Sequence, residues 1–168
     1  MKNNKPIFNM VLAALFAALI SVFIAFLFHI PIKIGANTAY LHFGDAFIFL
    51  AASMLPTPYA IAAAGIGGGL GDLFCGGAEW IPFTVIIKIL VVLAFTSKTP
   101  RMLCKRNIFA LFTALLVTVG GYYLAEALLF GNWVSPMLSI WGNVVQIVGS
   151  AVLYVILSIT VGNRLKRL

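Results

Sequence analysis

The stretch IFNMVLAALFAALISVFIAFLF, residues 7–28, decides the class of this chain. It carries no charged side chain, and its 22 residues make a helix of about 33 Å at 1.5 Å per residue. That length matches a bilayer core of about 30 Å. A cleavable signal peptide has an apolar core of only about 7–15 residues, so the run is a membrane span and not a leader. The rest of the chain continues in the same vein. Hydrophobic residues make up 62% of it, charged residues 9%, and the mean hydropathy is +1.09. A soluble domain carries about a quarter of its residues as Asp, Glu, Lys or Arg. These charges are too few to cover a water-facing surface. A transmembrane β-barrel would alternate apolar and polar residues over strands of about ten. Here the runs are apolar on every face, which leaves helices as the way to satisfy the backbone in lipid.

Five further apolar runs follow, over residues 43–55, 59–74, 82–95, 108–130 and 136–161. Proline and glycine punctuate them: Pro56-Thr57-Pro58, Gly76-Gly77 and Gly131-Asn132. The reading is an all-α integral membrane protein, a six-transmembrane-helix bundle forming a single membrane domain over 1–168. Lys and Arg residues set its orientation. Nine of the eleven fall on the side that holds the N-terminus, the 56–58 turn, the 97–107 segment and the C-terminus; the exceptions are Lys33 and Lys88. That side is the cytoplasm, so both termini lie inside and the chain is a multi-pass protein of the cell membrane. The net charge of +7 is then a topology signal and not a nucleic-acid footprint. Cys75 and Cys104 fall on opposite sides in this topology and are not expected to pair.

The polar residues inside the spans carry the functional information, because an ionisable group at membrane depth needs a partner or a polar cavity. All four acids, Asp45, Asp72, Glu79 and Glu126, map toward the outer side. Lys88 lies about 9 Å into the fourth span at 1.5 Å per residue. Its partner is either an internal acid (Asp45, Asp72 or Glu126), which would fix helix register, or a ligand in a pocket. Asn143 and Gln146 share one face of the sixth span, and Ser150 extends it. Amides offer both donors and acceptors, which suits a heterocycle with ring nitrogens. Tyr122, Tyr123 and Glu126 lie within one turn of the fifth span. Trp133 reads as an interface anchor, whereas Trp141 sits between anchor and ligand contact. Tyr40 and His42 lie where the first outer loop meets the second span, placed to close over a ligand.

Small residues recur every fourth position. Ala13, Ala17, Ser21 and Ala25 form one ridge on the first span, with Ala14 and Ala18 beside it, a pattern that lets another helix approach closely. Gly65, Gly67, Gly69 and Gly71 do the same in the third span, where packing within the bundle is expected. The glycine run lacks dinucleotide-binding spacing and a P-loop lysine. No catalytic constellation, metal-ligand spacing or cofactor motif is present, so neither an enzyme nor a self-powered ATPase is expected.

Taken in order, Tyr40-Leu-His-Phe-Gly-Asp45, the glycine-rich span ending Gly71-Asp72, the span holding Pro82 and Lys88, and Trp141-Gly-Asn143-Val-Val-Gln146 resemble a substrate-binding S component of an energy-coupling factor (ECF) transporter, in the riboflavin-transporter-like branch. The resemblance implies an outward-facing vitamin pocket beneath the loop between spans one and two. It also implies partners: an EcfT-like transmembrane coupling subunit and two cytoplasmic ATPases, with the S component toppling in the membrane to release its cargo. The family's small-residue motif maps onto Ala13, Ala14, Ala17 and Ala18, which would then face the coupling subunit. Lys88, Glu126, Asn143 and Gln146 fall among the implied pocket residues.

The expected function is uptake of a small water-soluble vitamin or precursor, pyridoxine-like or hydroxymethylpyrimidine-like, with riboflavin as a larger alternative. Asn143 and Gln146 would bond the ring edge, Tyr122 or Trp141 would stack on it, and Lys88 and Glu126 would meet its polar substituents. Two other classes compete. A self-sufficient secondary transporter would show internal repeats, and none is evident between residues 1–80 and 81–168. A structural membrane subunit would explain the alanine ridge but not the buried lysine.

Overall fold

The computed structural model describes residues 5–27, 30–34, 37–160 and 162, with 30–34 and 37–40 as backbone only. Lys2, Arg164, Lys166 and Arg167, which contribute to the orientation argument, lie outside the described residues, as does the side chain of Lys33.

Every apolar run forms a helix, with ends shifted by at most three residues: α1 (Lys5–Ala25), α2 (Asp45–Met54), α3 (Thr57–Phe74), α4 (Ile81–Ala94), α5 (Lys105–Phe130) and α6 (Pro136–Thr160). The helix ends follow local chemistry. Leu55 is extended, as a residue before proline prefers to be, and Pro58 enters the first turn of α3. Gly131 stops α5 in the left-handed region at φ 64°, where a side chain would be strained. A single 3-10 turn, Ala78–Trp80, leads into α4.

Two features depart from the hydropathy reading. The polar interruption is not an irregular loop: β1 (Ile30–Ile34) and β2 (Asn37–Leu41) pair antiparallel, Ile30 opposite Leu41 and Ile34 opposite Asn37. Ile30, Ile32 and Ile34 alternate with period two, the strand signal that a hydropathy scan passes over. A lone hairpin is marginal in water; this one rests on α6. The second departure is at α5, which begins at Lys105 and so takes in three polar residues assigned above to the loop. Arg106 donates from Nε to Ala94 O (3.2 Å) and from Nη2 to Leu93 O (3.4 Å), satisfying carbonyls left open at the end of α4.

Asn107, fully buried, ties the 96–104 segment to the bundle. Its Oδ1 accepts from Thr96 N (2.8 Å), and its Nδ2 faces Thr96 O (2.9 Å), Met102 O (2.8 Å) and Ser53 Oγ (3.2 Å). The Tyr154 hydroxyl lies 2.8 Å from Ser53 Oγ and donates to Met102 O (3.1 Å). Hydropathy cannot reveal this clamp, because an asparagine beside two cations scores as solvent-facing loop.

Packing is closest between α1 and α3, where the glycines of α3 act on both sides. A Cβ at Gly67 would stand 2.8 Å from Ala17 O and from Ile20 Cβ, and one at Gly71 would stand 2.7 Å from Ile24. Gly68, on the opposite side, lies against Thr84 and the stem of Lys88. The α3 glycines therefore serve packing within the bundle, as expected. The alanine ridge of α1 divides: Ala13 and Ala17 are buried, while Ala14 and Ala18 are exposed beside Val11 and Leu15.

The exterior is apolar, with Ile86, Phe112, Leu116, Val145, Val152 and Ile156 among its exposed side chains, whereas Asp45, Lys88, Asn107, Thr118 and Ser150 have no exposure. This inside-out distribution is that of a protein solvated by lipid. Among the described residues, three helices (α1, α5 and α6) are long and apolar enough to cross a membrane. At 1.5 Å per residue, α2 and α4 reach only about 15 Å and 21 Å.

Two outcomes follow from this packing. Gly67→Ala should lower the thermal midpoint in detergent, at a cost of about 1–3 kcal/mol from overpacking, while Gly120→Ala, where a Cβ meets nothing within 4 Å, should not. Asn107→Ala should free the 96–104 segment, so that trypsin cuts after Lys98 or Arg101 at least tenfold faster, roughly the effect of losing a buried hydrogen-bonded group; unchanged cleavage would show that the clamp does not hold the segment.

Candidate functional site

The two ends of the bundle differ in chemistry. Lys98, Arg101, Lys105 and Arg106 gather at the end held by Asn107. Asp45, Asp72, Glu79 and Glu126 gather at the other, where the hairpin, the 3-10 turn and the start of α6 meet.

At that second end the first turn of α2 aims Asp45 inward. Its carboxylate takes a charge-assisted hydrogen bond from Lys88 on α4, Nζ to Oδ1 at 2.5 Å, and neither side chain has any exposure. The other oxygen, Oδ2, accepts from Gln146 Nε2 on α6 at 2.7 Å. One carboxylate thus joins three helices. The Lys88 ammonium also lies 5.4 Å from the centroid of the Tyr122 ring on α5, within cation–π range. Tyr122 continues the network outward: its hydroxyl is 3.0 Å from Thr84 Oγ1. Trp80 packs at 6.3 Å from the Tyr122 ring and 6.0 Å from Phe130, an aromatic cap over these polar groups.

Why these residues meet is a matter of register and of small neighbours. Lys88 lies one helical turn beyond Thr84 on α4, so both face α3 at Gly68. Gly121 lets Ile87 come against α5, since a Cβ there would stand 2.7 Å from the Ile87 side chain. Gly149, one turn from Gln146, receives the ring of Phe43, which a Cβ would meet at 2.5 Å. Thr118 and Ser150 carry the same two faces one turn deeper, past Tyr122 and Gln146. Both are fully buried hydroxyls without a hydrogen-bond partner among the described residues.

Of the residues expected to contact a substrate, Lys88, Tyr122 and Gln146 come together in this cluster. His42 and Glu126 are buried at the same end. Asn143 is partly buried, three residues from Gln146, and its amide has no hydrogen bond among the described residues. Tyr40 stands opposite Pro31 in the hairpin, and its side chain lies outside the described residues. Trp141 is not brought to the cluster. It is 74% exposed on the outer face of α6 with Met137, Leu138 and Val145. Trp133 is likewise outside, packed on Tyr123, whose hydroxyl donates to Trp133 O at 2.8 Å.

Of the internal acids open to Lys88, the structure brings Asp45 to it. Asp45, Thr84 and Trp80 were absent from the expected site. Asp45 carried a legible signal, as an acid inside an apolar run; Thr84 and Trp80 carried none. Among the described residues no group of three His, Cys, Asp or Glu side chains suits a metal ion, and Cys75 and Cys104 are free thiols.

A single buried ion tests the cluster. Asp45→Ala or Lys88→Met should each destabilise the protein by about 3–5 kcal/mol, because either leaves its partner as an uncompensated charge. The double replacement should cost less than either single one in detergent melting; additive losses would show that the two charges are not coupled.

Comparison with known proteins agrees with this architecture. Residues 4–163 match the family described as the ECF-type riboflavin transporter, S component. The chain is also 30% identical over 156 residues to the thiamine precursor transporter HmpT of Lactococcus lactis subsp. cremoris (strain MG1363), a match covering 93% of this chain and 89% of that protein. A family match over almost the whole chain, joined to an apolar exterior and a polar interior at one end, places this membrane protein among the S components of ECF-type transporters, the substrate-binding subunits of vitamin uptake.

Proposed function

We propose that this S component binds a thiamine precursor of the hydroxymethylpyrimidine type and delivers it to an ATP-driven importer in the bacterial plasma membrane. The observation that carries the reading is the Asp45–Lys88–Gln146 cluster with Tyr122 beside it: polar, compact, closed to solvent and capped by aromatic rings. A one-ring heterocycle has the size and edge polarity for such a site. Riboflavin, with three fused rings and a ribityl chain, would need a larger apolar slot than the residues around Lys88 provide. The named relative, a thiamine precursor transporter, supports the same choice.

In this reading all six helices lie across the bilayer, with the hairpin end outward and the Asn107 end in the cytoplasm. The short α2 and α4 are accommodated by the non-helical segments that flank them. The ligand sits beneath the hairpin. Asn143 meets the ring edge, Tyr122 supplies the stacking face, and His42, Tyr40 and Glu126 line the approach. The energy comes from partners, an EcfT-like coupling subunit and two cytoplasmic ATPases. Ala14 and Ala18, exposed on α1, are the part of the alanine motif open to the coupling subunit, with Ala13 and Ala17 holding α1 against α3 just behind them.

The first test is purification in detergent from a vitamin-replete host, followed by mass spectrometry of the co-purifying small molecule. Hydroxymethylpyrimidine at one equivalent per chain is the expected result, and a protein that binds nothing from a vitamin panel would overturn the reading. Asn143→Ala should weaken binding about tenfold or more, as for a lost hydrogen bond in a buried site, with the melting temperature unchanged.

A further inference from the structure

The bundle end held by Asn107 carries charge that nothing in the chain answers. Lys98, Arg101 and Lys105 are exposed there, and none of their side chains has a hydrogen bond or ion pair among the described residues. All four acids stand at the opposite end of the bundle. Arg106, beside them, is committed through Nε and Nη2 to the carbonyls that close α4.

The Asn107 clamp gathers these charges. Its amide nitrogen donates to Thr96 O (2.9 Å) and Met102 O (2.8 Å), so the two ends of the 97–101 segment meet at one side chain. Within the segment, Lys98 N donates to Thr96 Oγ1 (3.3 Å) and Thr99 Oγ1 donates to Arg101 O (2.9 Å). At about 3.5 Å of reach per residue, the Cα atoms of Lys98, Arg101 and Lys105 all stand within roughly 10 Å of that amide. Three positive charges fixed so close together, with no acid near them, draw a counter-anion.

Depth in the membrane decides which anion. The face of α5 that carries Lys105 continues through Phe109, Phe112 and Leu116, at helical spacing. These three are 69%, 56% and 58% exposed, and they lie opposite the buried Ala110, Ala114 and Thr118. In a lipid-solvated bundle such a stripe lies against acyl chains. From Lys105 to Leu116 it runs about 16 Å at 1.5 Å per residue, close to half of a bilayer core of about 30 Å. Leu93, exposed near the end of α4, reaches the same level, where its carbonyl accepts from Arg106. The cations therefore sit where headgroup phosphates lie, at the top of an apolar stripe as long as one leaflet is deep.

We propose that the 98–105 segment and the outer face of α5 form a site for an anionic phospholipid of the cytoplasmic leaflet. Lys98, Arg101 and Lys105 hold its phosphate, and an acyl chain lies along Phe109, Phe112 and Leu116. A zwitterionic lipid suits the site less well, because its headgroup brings a fourth cation to the three already there. Anionic headgroups in that leaflet attract lysine and arginine placed next to a membrane span. The proposal uses only the membrane reading of the fold and holds whichever solute the other end binds.

Trp80, Trp133 and Trp141 all lie at the other end of the bundle, so Phe109→Trp adds a fluorophore at the site. The test reconstitutes this full-length variant, without partner subunits, in phosphatidylcholine vesicles containing dibrominated phosphatidylglycerol or dibrominated phosphatidylcholine. Quenching in excess of the wild type reports the lipid at the added tryptophan. The brominated phosphatidylglycerol should be preferred there by about tenfold or more. In the same background, Lys98→Gln, Arg101→Gln or Lys105→Gln should each lower the preference severalfold, on the order of the fivefold expected per basic residue at a charged leaflet. All three together should bring it to within twofold of none. Salt at 1 M, where the Debye length is about 3 Å, should reduce it at least about threefold with no change to the basic residues. Equal quenching by the two lipids in Phe109→Trp would overturn the proposal. So would a preference that survives the triple replacement, since the charge responsible would then lie elsewhere. If the lipids quench equally and the triple variant fails to assemble with partner subunits, the basic face serves an acidic protein surface and the proposal falls. Vitamin binding by the triple variant should match that of the wild type, so failure here and failure of the functional reading are told apart.

Discussion

Asp45 and Lys88 face each other in a region that excludes water, within a chain that has only four acids in 168 residues. Burying either ion alone costs several kcal/mol even after relaxation, so the bundle must place the two within hydrogen-bonding distance and satisfy what remains of each. Much of the local structure follows from that demand. The first turn of α2 starts at Asp45, where the helix N-terminus favours a negative side chain. Gln146 occupies the second carboxylate oxygen, and the Tyr122 ring faces the ammonium. Gly68 gives room to the Lys88 stem, with Thr84 one turn away. Four helices are thereby tied to a single pair of charges. In lipid, where water offers no driving force for apolar helices to associate, such polar ties and close small-residue packing are the means of fixing one arrangement.

The two ends of the bundle solve their polar requirements differently, and the difference matches what each has to do. At the end carrying the basic residues, Asn107, Ser53, Tyr154, Thr96 and Met102 share hydrogen bonds among themselves, and Arg106 closes the end of α4. This network keeps a loop in place, with Ser158 Oγ, one turn beyond Tyr154, left without a partner among the described residues. Toward the middle of the bundle and the hairpin end, other polar groups are unpaired. Thr118 and Ser150 hold hydroxyls, and Asp72 one carboxylate oxygen, without partners among the described residues. Buried polar groups of this kind are costly and are retained where something is bound or moved.

Legibility in the sequence tracked the range of the interactions concerned. The six helices could be read because each depends on its own residues: an apolar run bounded by Pro56, Pro58, Gly76, Pro82 or Gly131. The hairpin was missed because its signal, Ile30, Ile32 and Ile34 in alternation, is short and sits in a segment that hydropathy scores as polar. The start of α5 was misplaced because Lys105, Arg106 and Asn107 look like solvent-facing loop until Leu93, Ala94 and Met102 supply their partners. Within the candidate site, Lys88, Tyr122 and Gln146 stood out as polar residues at depth. Trp141 stood out equally well and is turned outward, since nothing in its neighbours along the chain says which face of α6 meets the bundle at that turn.

By itself the sequence determined that this is a helical membrane protein with its acids toward one end and its bases toward the other, because composition, run length and charge placement act through solvation alone. It also carried the motifs of its family, since these are strings of residues. Which acid neutralises Lys88 was decided only by the tertiary structure. Asp45, Asp72 and Glu126 were equivalent candidates along the chain, and the crossing of α2, α4 and α6 brings one of them to hydrogen-bonding distance. The same crossing makes Lys88 the counterion of a carboxylate, because a charge in a low-dielectric interior is defined by the group it faces.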